Sequence, residues 1–375
     1  MALSNEEVVE VEVEVGVGLE LEVEQEEEDD DVEDVPLGPE DVLRFVESVG
    51  SVEPAKWKLL MRDNMGVPPE PYDWPNICPL PGSSRDHRLA CDLYWHQAYQ
   101  LNQVSETCLP PMRYTRCCSG ASTGQQRCFH KPRPILQLFS TMVHTFLKDC
   151  TRSVEVYGYI AVRDDEDYRR NYLFNRSRDD PLTINSASDY LRLLSPKRGI
   201  SMKFDCLVEV DIRTKASPGD TDDKNLVDGC FDLIEGRSRF DVLSRIKMEG
   251  EHGALVFNLI IFRDSVEATI HMNFLEVPGD GFDIKMCGYT AIWKNMYAFI
   301  DDKECDCNSF VSSAGSFSQY FVAAVQMEDT LFIDFMEGSM PISFKADIHG
   351  SEEKEYHFRN SAVVSVKVSW STVLY

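Results

Sequence analysis

The chain has 375 residues, 43% of them apolar, and sets 64 Asp and Glu against 37 Lys and Arg, so it can bury a sizeable core under a formal charge of -27. Sixteen of the acids and none of the bases fall within the first 34 residues, which leaves -11 on the remainder. A body of that sign argues against tight non-specific binding to nucleic acid or an anionic membrane, both of which need clustered Lys and Arg. No apolar run reaches the roughly 18 residues of a membrane-spanning helix.

Residues 1–38 alternate Val with Glu and then run into Glu26 to Asp31. Self-repelling charge without apolar neighbours predicts a disordered acidic leader. It lacks the basic and apolar regions of a secretory signal. The 12 cysteines are therefore expected as thiols in a reducing compartment, cytoplasmic or nuclear.

Residues 39–106 read as a short helical segment. Pro39 suits a first helical position, with Glu40 and Asp41 at the positive end of the helix dipole. Val42, Phe45, Val46 and Val49 then recur at helical spacing, and Gly50 can end the helix. A second helix is expected from Pro54 to Gly66, and a third over 88–104. Residues 107–134, rich in Cys, Pro and basic side chains, read as a linker.

From Ile135 the apolar period becomes two. Strands are expected over 136–144, 154–162, 204–212, 255–262, 266–274, 282–286, 320–325, 331–335, 342–348 and 363–373. In 204–212 the buried set would be Phe204, Cys206, Val208, Val210 and Ile212. In 266–274 it would be Val266, Ala268, Ile270, Met272 and Phe274, and in the last strand Val364, Val366, Val368 and Trp370. Turn residues such as Pro278-Gly279-Asp280-Gly281 separate these runs. Short strands without intervening helices predict a mainly β fold, an antiparallel β-sandwich or barrel-like domain over 135–375.

Several strings resemble a plant family, abundant in cereals, known as domain of unknown function 6598. They are Val156-Tyr157-Gly158-Tyr159-Ile160-Ala161-Val162-Arg163-Asp164, Asn171-Tyr172-Leu173-Phe174-Asn175-Arg176-Ser177-Arg178-Asp179-Asp180-Pro181, Pro196-Lys197-Arg198-Gly199, Val208-Glu209-Val210-Asp211, His349-Gly350-Ser351 and Val366-Lys367-Val368-Ser369-Trp370-Ser371. The resemblance covers roughly 135–375. Similar domains sometimes occur joined to ribosome-inactivating modules, which remove an adenine from ribosomal RNA. That chemistry uses a Glu-Ala-x-Arg string on a helix; the nearest string here is Glu267-Ala268-Thr269-Ile270, without the Arg and in a predicted strand that puts Glu267 on the wet face. The family implies no activity, so no catalytic residue is assigned.

Zinc sites usually pair Cys or His at short spacing. Six cysteines lie between Cys78 and Cys128, but no Cys-x-x-Cys occurs and Cys128-x-His130 is the only tight Cys/His pair there. No metal ligand and no cofactor is assigned. The acidic cluster from Asp164 to Asp167 is followed by Arg169 and Arg170, which suggests local neutralisation rather than calcium binding. Arg163, Arg176, Arg178, Lys197 and Arg198 form the candidate binding surface; in such loops Arg either faces a ligand or pairs with acids to fix loop shape. The expected function is a non-enzymatic binding or interaction module for an unknown protein or small ligand, without nucleic acid or membrane. The alternatives are a ribosome-inactivating-associated defence protein and a metal-stabilised adaptor.

Overall fold

The computed structural model describes residues 98–117, 128–145, 153–184, 188–216, 222–235, 238–293, 297–300, 310–313, 320–337 and 340–373. The expected leader and the first two helices lie outside them. Of the third helix, only Ala98 and Tyr99 are described as helical; Gln100, with φ of 51°, turns the chain out of it. Among the described residues 58% are strand and 1% helix, which is the mainly β class expected.

The strands in chain order are β1 (Arg133–Thr145), β2 (Val154–Arg163), β3 (Asn171–Arg176), β4 (Leu182–Ile184), β5 (Ser188–Leu191), β6 (Ile200–Ser201), β7 (Cys206–Thr214), β8 (Lys224–Leu233), β9 (Ser244–Glu249) and β10 (Gly253–Glu276). There follow β11 (Phe282–Asp283), β12 (Met286–Thr290), β13 (Tyr297–Ile300), β14 (Phe310–Val311), β15 (Tyr320–Gln326), β16 (Thr330–Asp334), β17 (Ile342–Lys345), β18 (Ser351–His357) and β19 (Val363–Ser371). All pairings between these strands are antiparallel. The sheets are open; no closed barrel forms among the described residues.

The organising element is β10. Two runs expected as separate strands are one strand of 24 residues. Its first half pairs with β1 and β9, and its second half with β15 and β19. Leu255, Phe257, Leu259 and Ile261 project into a core completed by the five-stranded sheet of β2, β3, β4, β7 and β8. On the opposite face, Ile260, Phe262, Val266, Ala268, Ile270, Met272 and Phe274 project into a second core. That core is completed by residues of β12, β16 and β17 and by Val364, Val366, Val368 and Trp370 of β19. One strand therefore lines two sandwich layers, its period of two sorting odd positions to one and even positions to the other. Each such apolar side chain contributes roughly 1.5–3 kcal/mol on burial.

β1 makes the same division with a correction. Leu136 and Leu138 face the first core and so does Val143, of opposite parity. A register shift between Leu138 and Ser140 absorbs the difference, and Phe139, at that shift, lies with Ile135 in the second core. Phe204, expected inside, is 57% exposed, because β7 begins only at Cys206. Between β2 and β7 the backbones approach closely at Gly158, whose φ is 120° and where a Cβ would lie 1.9 Å from the Asp211 carbonyl oxygen. Only glycine is suited to such a place.

Candidate functional site

Beyond Ile261 the odd face of β10 leaves the first core and changes character. It carries Ser265, Glu267 and Thr269, all buried although polar. Their cover comes from the end of the stretch expected as helical, 39–106, and the start of that expected as linker, 107–134. Residues 98–117 lie against the sandwich as a strap: Glu106 bridges Arg170 in parallel, Thr107 N–H donates to the Arg170 carbonyl at 2.9 Å, and Arg170 N–H donates to the Ser105 carbonyl at 3.1 Å. Glu267 is thus not on a wet face. Its carboxylate accepts Met112 N–H at 2.7 Å and Gly199 N–H at 2.6 Å. Burial raises its pKa, and the two backbone donors only partly oppose this. A Cβ on Gly199 would stand 2.8 Å from Val373 Cγ1 and 3.2 Å from Glu267 Oε2, so glycine is what lets this backbone reach the acid.

Two further buried acids flank that seam. At the end of β2, Arg163 donates from Nε to Glu209 Oε2 of β7 at 2.8 Å, and spends NH1 on the carbonyls of Gln103 (2.9 Å) and Tyr168. Arg170 donates to both oxygens of the same carboxylate and, at 2.8 Å, to the Tyr159 hydroxyl, and lies over the Tyr159 ring at 4.1 Å. Tyr159 in turn donates to Glu209 at 3.0 Å. Burial pushes the Glu209 carboxyl up, but the Arg170 hydrogen bonds and the Arg163 charge outweigh it and hold it below its ordinary range.

The second acid is Asp164. Arg198 grips it with two parallel hydrogen bonds, each 2.6 Å, and Ser201 N–H adds a third at 2.8 Å. Asp164 also accepts Glu166 and Asp167 N–H, which closes the turn after β2. Asn171 fixes the Arg198 segment by donating to its carbonyl and accepting Lys197 N–H. Asp165 has one buried oxygen with no hydrogen-bond partner among the described residues. Burial, then the Asp164 charge, push its pKa up to about 6. Arg113 of the strap completes the seam, pairing with Glu166 and donating to the Val373 carbonyl at 2.7 Å.

The five cations expected at one surface are thereby divided. Arg163 is 0% exposed and Arg198 2%, so both belong to the interior rather than the surface; what put them there is a carboxylate partner for each. Lys197 is half-buried near them and reaches Glu106 and the Thr107 carbonyl. Arg176 and Arg178 are elsewhere. Arg176 ends β3, five residues from Asn171, about 17 Å at strand rise. It pairs with Asp180, and Arg178, its side chain 53% exposed, pairs with Asp223. In the acidic run after Arg163, Asp164 pairs with Arg198 and Glu166 with Arg113, both distant in sequence, while neighbouring Arg169 acts on Asp167 and Arg170 turns away to Glu209. Sequence reading missed Glu209, Glu267 and Arg170 as members of one seam; buried Glu at odd positions of otherwise apolar strands was the available signal.

At the outer end of the strap a different set converges. Cys117 Sγ, Cys128 Sγ and a His349 ring nitrogen lie within 4.8 Å of one another. His349 Nε2 is 3.0 Å from Cys128 Sγ and 3.3 Å from His130 Nδ1. Cys128 and His130 lead into β1, and His349 precedes β18. Burial, then neighbouring His349, lower the His130 pKa.

The architecture defines a class, an open antiparallel sandwich of two layers sharing one strand, with buried ion pairs inside it and a strap held on by hydrogen bonds and the Arg113–Glu166 pair. Within that class the chain belongs to the family described as domain of unknown function (DUF6598), whose model matches residues 135–368. No curated protein matches it. Solved structures similar to it include human GIVD cytosolic phospholipase A2 in complex with methyl gamma-linolenyl fluorophosphonate, 9% identical with a TM-score of 0.23, covering 65% of this chain and 33% of that one. A second structure of human GIVD cytosolic phospholipase A2 is 8% identical, with a TM-score of 0.23 over 64% and 30%. The chain spans about a third of the length of these structures, and a likeness so slight carries no argument here. No helix of the described residues is long and apolar enough to cross a membrane.

Proposed function

We propose that this protein is a non-enzymatic binding module of the plant cytoplasm or nucleus, which holds a protein or small-ligand partner on a surface turn of its sandwich. The observation that supports this reading is the condition of the buried acids. Asp164, Glu209 and Glu267 are nearly sealed from solvent, and their oxygens are occupied by guanidinium, hydroxyl or backbone N–H donors of the fold. A general acid or base must reach a proton on its substrate; these groups are turned inward. We assign recognition to the turn after β3. Arg176 and Arg178 are held there by Asp180 and Asp223, so binding costs little side-chain freedom.

The test compares affinity capture from plant extract by the intact chain and by Arg176→Glu/Arg178→Glu, with thermal melting to confirm that both are folded. A partner retained by the first and lost by the second supports the proposal, and equal capture refutes the surface. In parallel, ribosomes incubated with the protein are assayed for released adenine. Depurination that Glu267→Gln abolishes would establish the ribosome-inactivating alternative and overturn the non-enzymatic reading.

A further inference from the structure

The Cys and His side chains at the strap's outer end take no part in the ion-pair seam, and their geometry has its own chemistry. His349 Nδ1 lies 2.8 Å from the Tyr114 carbonyl oxygen. A carbonyl can only accept, so Nδ1 carries the proton and Nε2 presents its lone pair. That lone pair faces Cys128 Sγ and His130 Nδ1, with Cys117 Sγ in the same small space. A backbone carbonyl orienting the far nitrogen of an imidazole is the usual outer support of a metal-bound histidine. In a tetrahedral zinc site, Zn–N of about 2.0–2.1 Å and Zn–S of about 2.3 Å put two nitrogens about 3.4 Å apart and a nitrogen and a sulfur about 3.5 Å apart. The separations of 3.3 and 3.0 Å found here are within half an ångström of those values. The donors that converge are those of Cys117, Cys128 and His349, and His130 adjoins them through His349; together they are the two thiols and two imidazoles that zinc favours.

We propose that Cys117, Cys128, His130 and His349 bind one zinc ion, which fastens the strap to the sandwich. Binding converts both thiols to thiolates and releases their two protons to solvent, with no change of oxidation state. The ion joins positions 117 and 128 to position 349, near the Gly350 turn whose amide already donates to the Thr115 carbonyl at 3.0 Å. The zinc would therefore close a contact that the fold brings almost together. This inference is independent of the binding-module reading: it stands or falls on metal, not on a partner.

The experiment uses the full-length chain, reduced and stripped of metal, titrated with cobalt(II) and then with zinc. We expect one cobalt per chain, with the visible bands of a tetrahedral ion and sulfur-to-cobalt charge transfer of two-thiolate intensity, all displaced by one equivalent of zinc. Cys128→Ser and His349→Ala should each weaken zinc binding at least about 100-fold, more than the 10–100-fold typical of losing an outer support. Cys108→Ser should leave it unchanged. Because a variant can fail for want of folding, tryptic cleavage after Arg113 and Arg116 is measured on the wild-type chain: zinc should slow it several-fold and chelation restore it. An absence of tetrahedral cobalt bands overturns the proposal. So does uptake that survives Cys128→Ser and His349→Ala, which would be an adventitious ion only. Loss of binding in Cys108→Ser, or cleavage indifferent to zinc, overturns it as well.

Discussion

Replacing Glu209 by glutamine keeps the shape of the side chain and removes its charge, which isolates what that charge does. The wild-type carboxylate sits between Arg163, fully buried, and Arg170, partly buried, and also accepts the Tyr159 hydroxyl. Glutamine offers one acceptor oxygen and turns an amide N–H₂ toward a guanidinium. Two positive charges then remain in the interior without compensation. Breaking a buried pair from one side costs about 3–5 kcal/mol, a large part of the roughly 5–15 kcal/mol of a folded protein. Urea unfolding of the reduced chain at pH 7 measures this directly. The double variant Glu209→Gln/Arg163→Met should be less destabilised than the sum of the single variants, by about 0.5–3 kcal/mol. The pH dependence has a definite sign. The Glu209 pKa is lowered in the folded state, so its contribution is complete above the ordinary carboxylate range and is lost as pH falls through the depressed native value. The gap between wild type and Glu209→Gln should accordingly narrow below about pH 4. A cost under about 1 kcal/mol at pH 7, or strict additivity in the double variant, would refute the reasoning that the seam rests on this acid.

Asp165 should behave oppositely. Its pKa, raised to about 6, means the folded state carries a penalty at neutral pH that fades as pH falls from 7 toward 5. Asp165→Asn should stabilise by about 1–2 kcal/mol at pH 7.5, after allowance for its partial exposure, and by less at pH 5. Melting temperatures of both chains at the two pH values decide it, and destabilisation at both would count against it. Gly199→Ala places a methyl against buried Val373 and the Glu267 carboxylate; overpacking predicts a loss of about 1–3 kcal/mol. Adding Val373→Ala should recover part of that loss, and simple addition of the two losses would be the contrary result. Gly158→Ala meets backbone at 1.9 Å in a left-handed conformation and should abolish soluble folded protein, which expression and circular dichroism will report.

What alternation could reveal was read correctly where a strand is apolar on one face. The buried sets of 266–274 and 363–371 lie where period two assigns them. β18, Ser-Glu-Glu-Lys-Glu-Tyr-His, escaped notice because it is an edge strand, and charged side chains are what such an edge carries; its Glu353 stands opposite Lys367. β8 was hidden by Asp228, Gly229 and Asp232, which interrupt its apolar pattern. The site was less legible for a related reason. A period of two says which face Glu267 occupies but not whether another segment lies over that face. The cover here begins 155 residues earlier, at Met112. Arg163 and Arg198 have the composition of loop cations, and only the fold supplies Glu209 and Asp164 as their partners. Likewise His349 is 221 residues from Cys128, a distance over which no ligand spacing can be recognised.

The long strand β10 has a mechanical consequence. A rod built into two walls cannot be withdrawn from one without loosening the other, so neither half of this molecule has a natural seam along which to melt alone. Heating should give a single calorimetric transition whose van't Hoff and calorimetric enthalpies agree. The chain must also bring distant segments onto that shared rod before either wall is complete, an arrangement that favours slow, all-or-none assembly.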